Sequence, residues 1–205
     1  MRAGDHHETA FGSAIVIHET VVTTTSPDGV VHVAPMGVTM TPQTILLKPF
    51  RPSVTLDNIL ASRTAVVNFT TDVRIFAGCV TGRREWETVP ADSLPGARLV
   101  SCLAHSELRL VECTDDALRP QLLMRRVHEA HHAGFTGFSR AQAAVLEAAV
   151  LVSRLGMLDP AKIAAEIAYL RIAVDKTAGP EELQAWQWLL QAIEQDRPGL
   201  VSQDT

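Results

Sequence analysis

Arg51, Ser53, Thr55 and Asn58 fall within RPSVTLDN, where a guanidinium, two hydroxyls and an amide gather at the start of a short predicted helix. The free N–H groups and positive dipole end of a helix N-terminus favour a phosphate. The same residues also suit a plainer role, with Ser53 as an N-cap and Arg51 solvated. Upstream, HVAPMGV carries a proline that removes a ladder donor and a glycine that removes a side chain. This predicts a strand interrupted at Ala34, Pro35, Met36, Gly37 and Val38. The opened backbone suits the polar edge of a flat ligand, with Met36 against its face; the alternative is an edge-strand kink with no ligand. Asn68, polar inside the apolar run AVVNFT, must find partners if buried, either on a ligand or on the backbone.

Other reactive residue types point to less. In HEAHH, strand geometry puts His128 and His132 on one face and His131 on the other, and helix geometry also converges only pairs. Three imidazoles of the run therefore do not meet, and no metal is expected there. His6 and His7 invite the same reading. Cys79, Cys102 and Cys113 are odd in number, far apart and without a CxxC, which argues against a disulfide framework and a zinc knuckle and for reduced thiols in the cytoplasm. Cys79 has no His/Asn constellation to activate it and reads as buried and structural.

The elements that must position these residues follow from periodicity. SAIVIHETVVTTT and GVVHVAPMGVTM flank SPDG and should pair as an antiparallel hairpin; TILLKPF and TAVVNFT add strands, and RPSVTLDNILASR a helix capped by Ser53. ETVPADSLPGA reads as loop, RLVSCLAHSELRLVECT as a strand, and LLMRRVHEAHHAG as strand or helix. After Gly137, three helices close the chain. The first is capped by Ser139, and the next two begin at Asp159-Pro160 and Gly179-Pro180. On the last, Leu183, Trp186, Leu190 and Ile193 share a face that should be core or subunit contact. RPGLVSQDT is expected to fray.

The chain has 205 residues, 46% hydrophobic and 20% charged, with a net charge of -5. Such a length buries one core, or one core and a smaller unit, and such a charge gives no reason to expect nucleic acid. No apolar run is long enough to span a bilayer, and no GxGxxG fingerprint is present.

Taken in order, Ala34-Pro35-Met36-Gly37, Ser53-x-Thr55-x-x-Asn58, Val67-Asn68-Phe69 with Asp72, then Arg140-Ala141, Glu147, Arg154 and Lys176-Thr177-Ala178-Gly179 resemble the family known as domain of unknown function 447, within the flavin-reductase-like split barrels. Ser139 departs from the asparagine expected before Arg140. The resemblance implies an α+β fold: a six- or seven-stranded split β-barrel over residues 1–136, then a helical unit over 137–205. It implies FMN as cofactor, held by Ala34 to Val38, Arg51, Ser53, Thr55, Asn58, Asn68 and Asp72. It also implies a homodimer, with a small-molecule or nicotinamide redox partner. An oxidoreductase, a non-catalytic FMN carrier and a ligand-free assembly scaffold remain as alternatives, with substrate and electron donor unassigned.

Overall fold

The computed structural model describes residues 16–201. Six strands close a barrel in the order β1-β2-β3-β8-β7-β4. They are β1 (His18–Thr25), β2 (Val31–Met40), β3 (Thr44–Leu47), β4 (Thr64–Phe69), β7 (Ala104–Thr114) and β8 (Gln121–His131). β5 (Thr88–Pro90) and β6 (Ala97–Leu99) form a separate two-stranded sheet. The helices are α1 (Val54–Ser62), α2 (Val73–Val80), α3 (Arg140–Val152), α4 (Pro160–Thr177) and α5 (Pro180–Asp196). The fold is the expected α+β barrel followed by C-terminal helices.

By internal contacts the chain forms two compact units that interleave in sequence. One comprises 1–68, 89–98 and 105–130, and the other 69–88, 99–104 and 131–205. The first is the barrel unit. Its hairpin turns at Ser26–Val30, where Gly29 adopts φ +83° and Ser26 N–H donates to the Val30 carbonyl at 2.9 Å. That positive φ is the conformation glycine takes without steric cost. Val21, Val22, Val67, Ile45, Leu47, Leu108, Leu122 and Met124 are buried in this unit, and α1 packs its buried Leu56 and Ile59 against the β1–β2 hairpin. β1 is buried at five successive positions, so both its faces are covered. β8, ambiguous from sequence, is a strand whose burial alternates with period two: Leu122 and Met124 point in, and His128 shares their parity while His131 does not.

The second unit has its own core, in which Val73 and Ala77 of α2 meet Ala144, Val145, Ala148, Ile163, Ile167, Trp186, Leu189 and Ile193. The helix starts are as expected: Ser139 Oγ accepts from Gln142 N–H, and Asp159 Oδ1 accepts from Ala161 N–H at 2.7 Å. Serine in place of asparagine at 139 thus keeps the cap.

Several expectations are corrected. β2 runs unbroken through Pro35 and Gly37. α2 occupies a stretch read as part of a mostly β half, because its Asp72 cap is followed by a short buried run whose helical period spans barely two turns. RLVSCLAHSELRLVECT is two strands, β6 and β7, and the loop segment before it contains β5. The buried face of α5 is Ala185, Trp186, Leu189 and Ile193, with Leu183 exposed, and Trp186 packs within its own chain. The tail does not fray through residue 201: Val201 is buried and Arg197 donates to the Leu155 carbonyl; the remaining residues lie outside those described.

Candidate functional site

Pro35 tolerates its place in β2 because of where its nitrogen points. β1 pairs with β2 along its length, with Val21 opposite Pro35, whereas the β2–β3 ladder runs over Thr39↔Leu46 and Met40↔Ile45. An antiparallel strand directs the main-chain groups of alternate residues to opposite sides. Proline fits where its nitrogen faces away from β1. Consistently, the Met36 carbonyl faces β1, accepting from Thr20 Oγ1 at 2.8 Å. Pro35 and Gly37 therefore direct main-chain groups to the side away from β1, outside the β3 ladder. Ala34 to Gly37 are half-buried and Val38 is buried. The strand is unbroken, yet its backbone still faces something other than β1. Glycine at 37 admits a close approach within the protein: a Cβ there would stand 2.8 Å from Ile17 Cγ2.

The start of α1 is capped by Ser53 Oγ, which accepts Leu56 N–H at 3.1 Å. That leaves the earlier N–H groups of the first turn as the anion-facing donors. Arg51 reaches Asp115 Oδ1 at 2.9 Å with both side chains well exposed, a pairing that water weakens. Its backbone N–H donates to the Leu118 carbonyl at 2.9 Å, and Arg119 stacks its guanidinium 4.4 Å over Phe50 and donates to the Lys48 carbonyl. Lys48, Arg51 and Arg119 thus add positive charge around the segment entering α1. Arg119 was not singled out from sequence, since its proximity comes from the β7–β8 connection.

The remaining candidates are engaged in the protein itself. Asn58 Nδ2 donates to Thr24 Oγ1 at 3.1 Å, and Thr55 is buried. Asn68, fully buried, donates to the Val21 carbonyl at 3.0 Å and Thr23 Oγ1 at 3.2 Å, which favours the backbone-bridging alternative. Asp72, in the other unit, caps α2 and grips Arg74 Nε and Nη2 at 2.8 Å each, with Glu181 on the same guanidinium. These hydrogen bonds and charges raise the Arg74 pKa further. Arg51, Ser53, Thr55, Asn58 and Asn68 share the barrel unit with the Pro35–Gly37 edge.

Cys79 is buried, and its desolvation pushes the thiol up to about 11 against smaller opposing effects of a Trp86 hydrogen bond and the Arg84 charge. It is a structural thiol, as expected. The same unit holds a cavity of about 290 Å³ lined by Asp72, Arg74, Ile75, Trp86, Val100 and Trp188, with Arg83 stacked 4.0 Å over Trp188.

A barrel of this topology with a helical continuation defines the class: a split-barrel α+β protein. Models of the family described as "Protein of unknown function (DUF447)" match residues 18–133 with the N-terminal domain and 139–191 with the C-terminal domain. The chain belongs to that family. Its fold resembles the crystal structure of an FMN-bound protein of the same family from Methanosarcina mazei, at TM-score 0.74 and 19% identity over 89% of this chain and 97% of that one. It also resembles 2-nitrobenzoate 2-nitroreductase from Pseudomonas fluorescens, at TM-score 0.50 and 18% identity over 59% and 68%. A third likeness is nitrilotriacetate monooxygenase component B from Bacillus cereus, at TM-score 0.50 and 17% identity over 70% and 88%.

Proposed function

We propose that this protein binds FMN in its barrel unit and works as an oxidoreductase. The observation that carries the reading is the family membership together with a fold shared along nearly the whole chain with an FMN-bound member. The site fits the cofactor at both ends. The Pro35–Gly37 edge directs backbone away from β1, where it suits the hydrogen-bonding edge of a planar ring. The α1 start offers N–H donors, a helix dipole and Arg51 to a phosphate. FMN, when bound, supplies the redox chemistry. The chain's own contribution is orientation: Gly37 keeps the approach to the backbone clear, Arg51 neutralises phosphate charge, and Asn58 and Asn68 brace β1 behind the edge.

Absorption spectra of the purified full chain, before and after addition of FMN, test cofactor binding. Anaerobic mixing with reduced nicotinamide, followed by admission of dioxygen as electron acceptor, then separates catalysis from carriage: bleaching and then reoxidation with turnover support an oxidoreductase, and a flavin that stays oxidised throughout supports a carrier. Failure to bind FMN or riboflavin at all would sink the flavoprotein reading. A homodimer is part of the same proposal, resting on the family resemblance, and light scattering on the eluting protein checks it.

A further inference from the structure

Away from the flavin candidates, four side chains from three segments of the barrel unit converge on one point. His105 and Glu107 lie two residues apart on one face of β7, opposite in parity to the core residues Leu108 and Leu110. Asp92 comes from the β5–β6 connection and His128 from β8. His105 Nε2 stands 3.3 Å from Glu107 Oε1 and 3.6 Å from Asp92 Oδ2, and His128 Nε2 stands 3.3 Å from the same Asp92 oxygen. All four ligand atoms lie within 4.8 Å of one another. His105 and Glu107 are fully buried, while Asp92 and His128 are partly open to solvent.

We propose that Asp92, His105, Glu107 and His128 form a site for a divalent transition-metal ion of the zinc type. Donors about 2.0 to 2.2 Å from a tetrahedral ion stand about 3.3 to 3.6 Å from one another. The separations of 3.3, 3.3 and 3.6 Å match three of the six edges, and all four donor atoms lie within 4.8 Å of one another. Two imidazoles and two carboxylates are a borderline nitrogen and oxygen donor set, suited to zinc rather than to calcium or magnesium. Charge agrees, since one divalent ion neutralises the two carboxylates.

The surroundings hold the donors in place. Glu107 Oε1 accepts N–H groups of Asp92 at 2.6 Å and Ser93 at 3.0 Å, and Oε2 accepts Ser93 at 3.0 Å and Leu94 at 2.6 Å. The Ser93 N–H is shared equally between both oxygens, so each oxygen takes one short N–H bond of its own, from Asp92 or Leu94, and half of the third. The same carboxylate pins the loop that carries Asp92, an outer-shell function of the kind metal sites need. This departs from the expectation of no metal, which weighed only spacings within HEAHH. The fold takes His128 alone from that run and gives it partners from other segments.

The test uses the full chain with His6→Ala and His7→Ala as background, which removes the N-terminal pair as a competing chelator. Protein equilibrated with Zn2+ is passed through metal-free buffer, its zinc measured by mass spectrometry, and its affinity by competition with a chromophoric chelator. One zinc per chain is expected in the background protein and in a His131→Ala control. His128→Ala and Asp92→Asn, at partly exposed positions, should each weaken binding by more than about tenfold. Circular dichroism confirms that both variants are folded; a variant that is not is replaced by His128→Gln or Asp92→Ala. No retained zinc in the background protein would mean that these groups only share protons. Zinc held equally well by His128→Ala and Asp92→Asn would place the ion elsewhere; either result overturns the proposal.

Discussion

Pro35 on β2 and Asn68 on β4 stand opposite the same residue, Val21 of β1, one on each side. The proline has no donor for the ladder, and the asparagine amide reaches back to the Val21 carbonyl at 3.0 Å. The row across three strands is thus tied on the β4 side by a side-chain amide.

Asn68→Ala should destabilise the barrel without touching phosphate recognition. The Val21 carbonyl and Thr23 hydroxyl lose a buried donor, a loss of about 1 to 3 kcal/mol. A lowered urea midpoint is the expected result, with the ratio of FMN to riboflavin affinity unchanged. An unchanged midpoint would mean that this amide does not hold the row.

Arg51→Ala separates the two ends of the proposed flavin site. A charge-assisted phosphate contact contributes about 1.5 to 3 kcal/mol, so FMN affinity should fall by roughly tenfold or more while riboflavin, which has no phosphate, is nearly unaffected. Fluorescence titrations with both flavins measure this. Asp115→Ala releases Arg51 from its 2.9 Å ion pair and should tighten FMN while leaving riboflavin unchanged. Equal losses for the two flavins in Arg51→Ala would put the phosphate elsewhere.

Gly37→Val carries the complementary expectation. The new Cβ would stand 2.8 Å from Ile17 Cγ2, a branch one bond from the Ile17 Cβ, so the segment before β1 must shift and stability should fall by about 1 kcal/mol or more. Both flavins should weaken alike, because the branched side chain crowds the approach to the strand edge. Flavin affinities that survive the substitution would remove the ring from this edge.

Cys79 predicts an alkaline loss of stability. Its folded pKa is raised to about 11, so between about 9 and 11 the unfolded thiol ionises while the folded one keeps its proton. The folded state then binds more protons, and stability falls as pH rises through that window, by up to about 2 to 3 kcal/mol. Cys79→Ala lacks this term. Urea denaturation of both proteins at about pH 8 and about pH 10.5 should show the wild-type advantage shrinking at the higher pH. A constant difference would show that the thiol is not desolvated in the fold.

Glu107→Gln should loosen the β5–β6 connection. A carboxamide presents an NH2 group to backbone N–H groups that the carboxylate accepts, leaving buried donors unmatched at a cost of about 2 kcal/mol or more. Faster amide exchange at Asp92, Ser93 and Leu94 is the expected readout; protection equal to wild type would count against the carboxylate as the loop's anchor.

Local chemistry alone determined the hairpin, the Ser53 and Ser139 caps, the proline-led α4 and α5, and the order of motifs that marks the family, since turns, caps and periodicity act within a few residues. Tertiary structure decided the rest. β2 stays continuous through Pro35 because β1 pairs with it along its length while β3 pairs only at Thr39 and Met40, and how far β3 reaches along β2 is contained in no window of sequence. Whether Asn58 and Asn68 serve a ligand or the backbone depended on Thr24, Thr23 and Val21, far away along the chain. His105 and Glu107 were not singled out from sequence, and their meeting with Asp92 and His128 required β7 and β8 to share a barrel with the β5–β6 connection nearby. Convergence of side chains across long loops is set by packing, because each segment's own sequence fixes which way its residues point and not what stands opposite them.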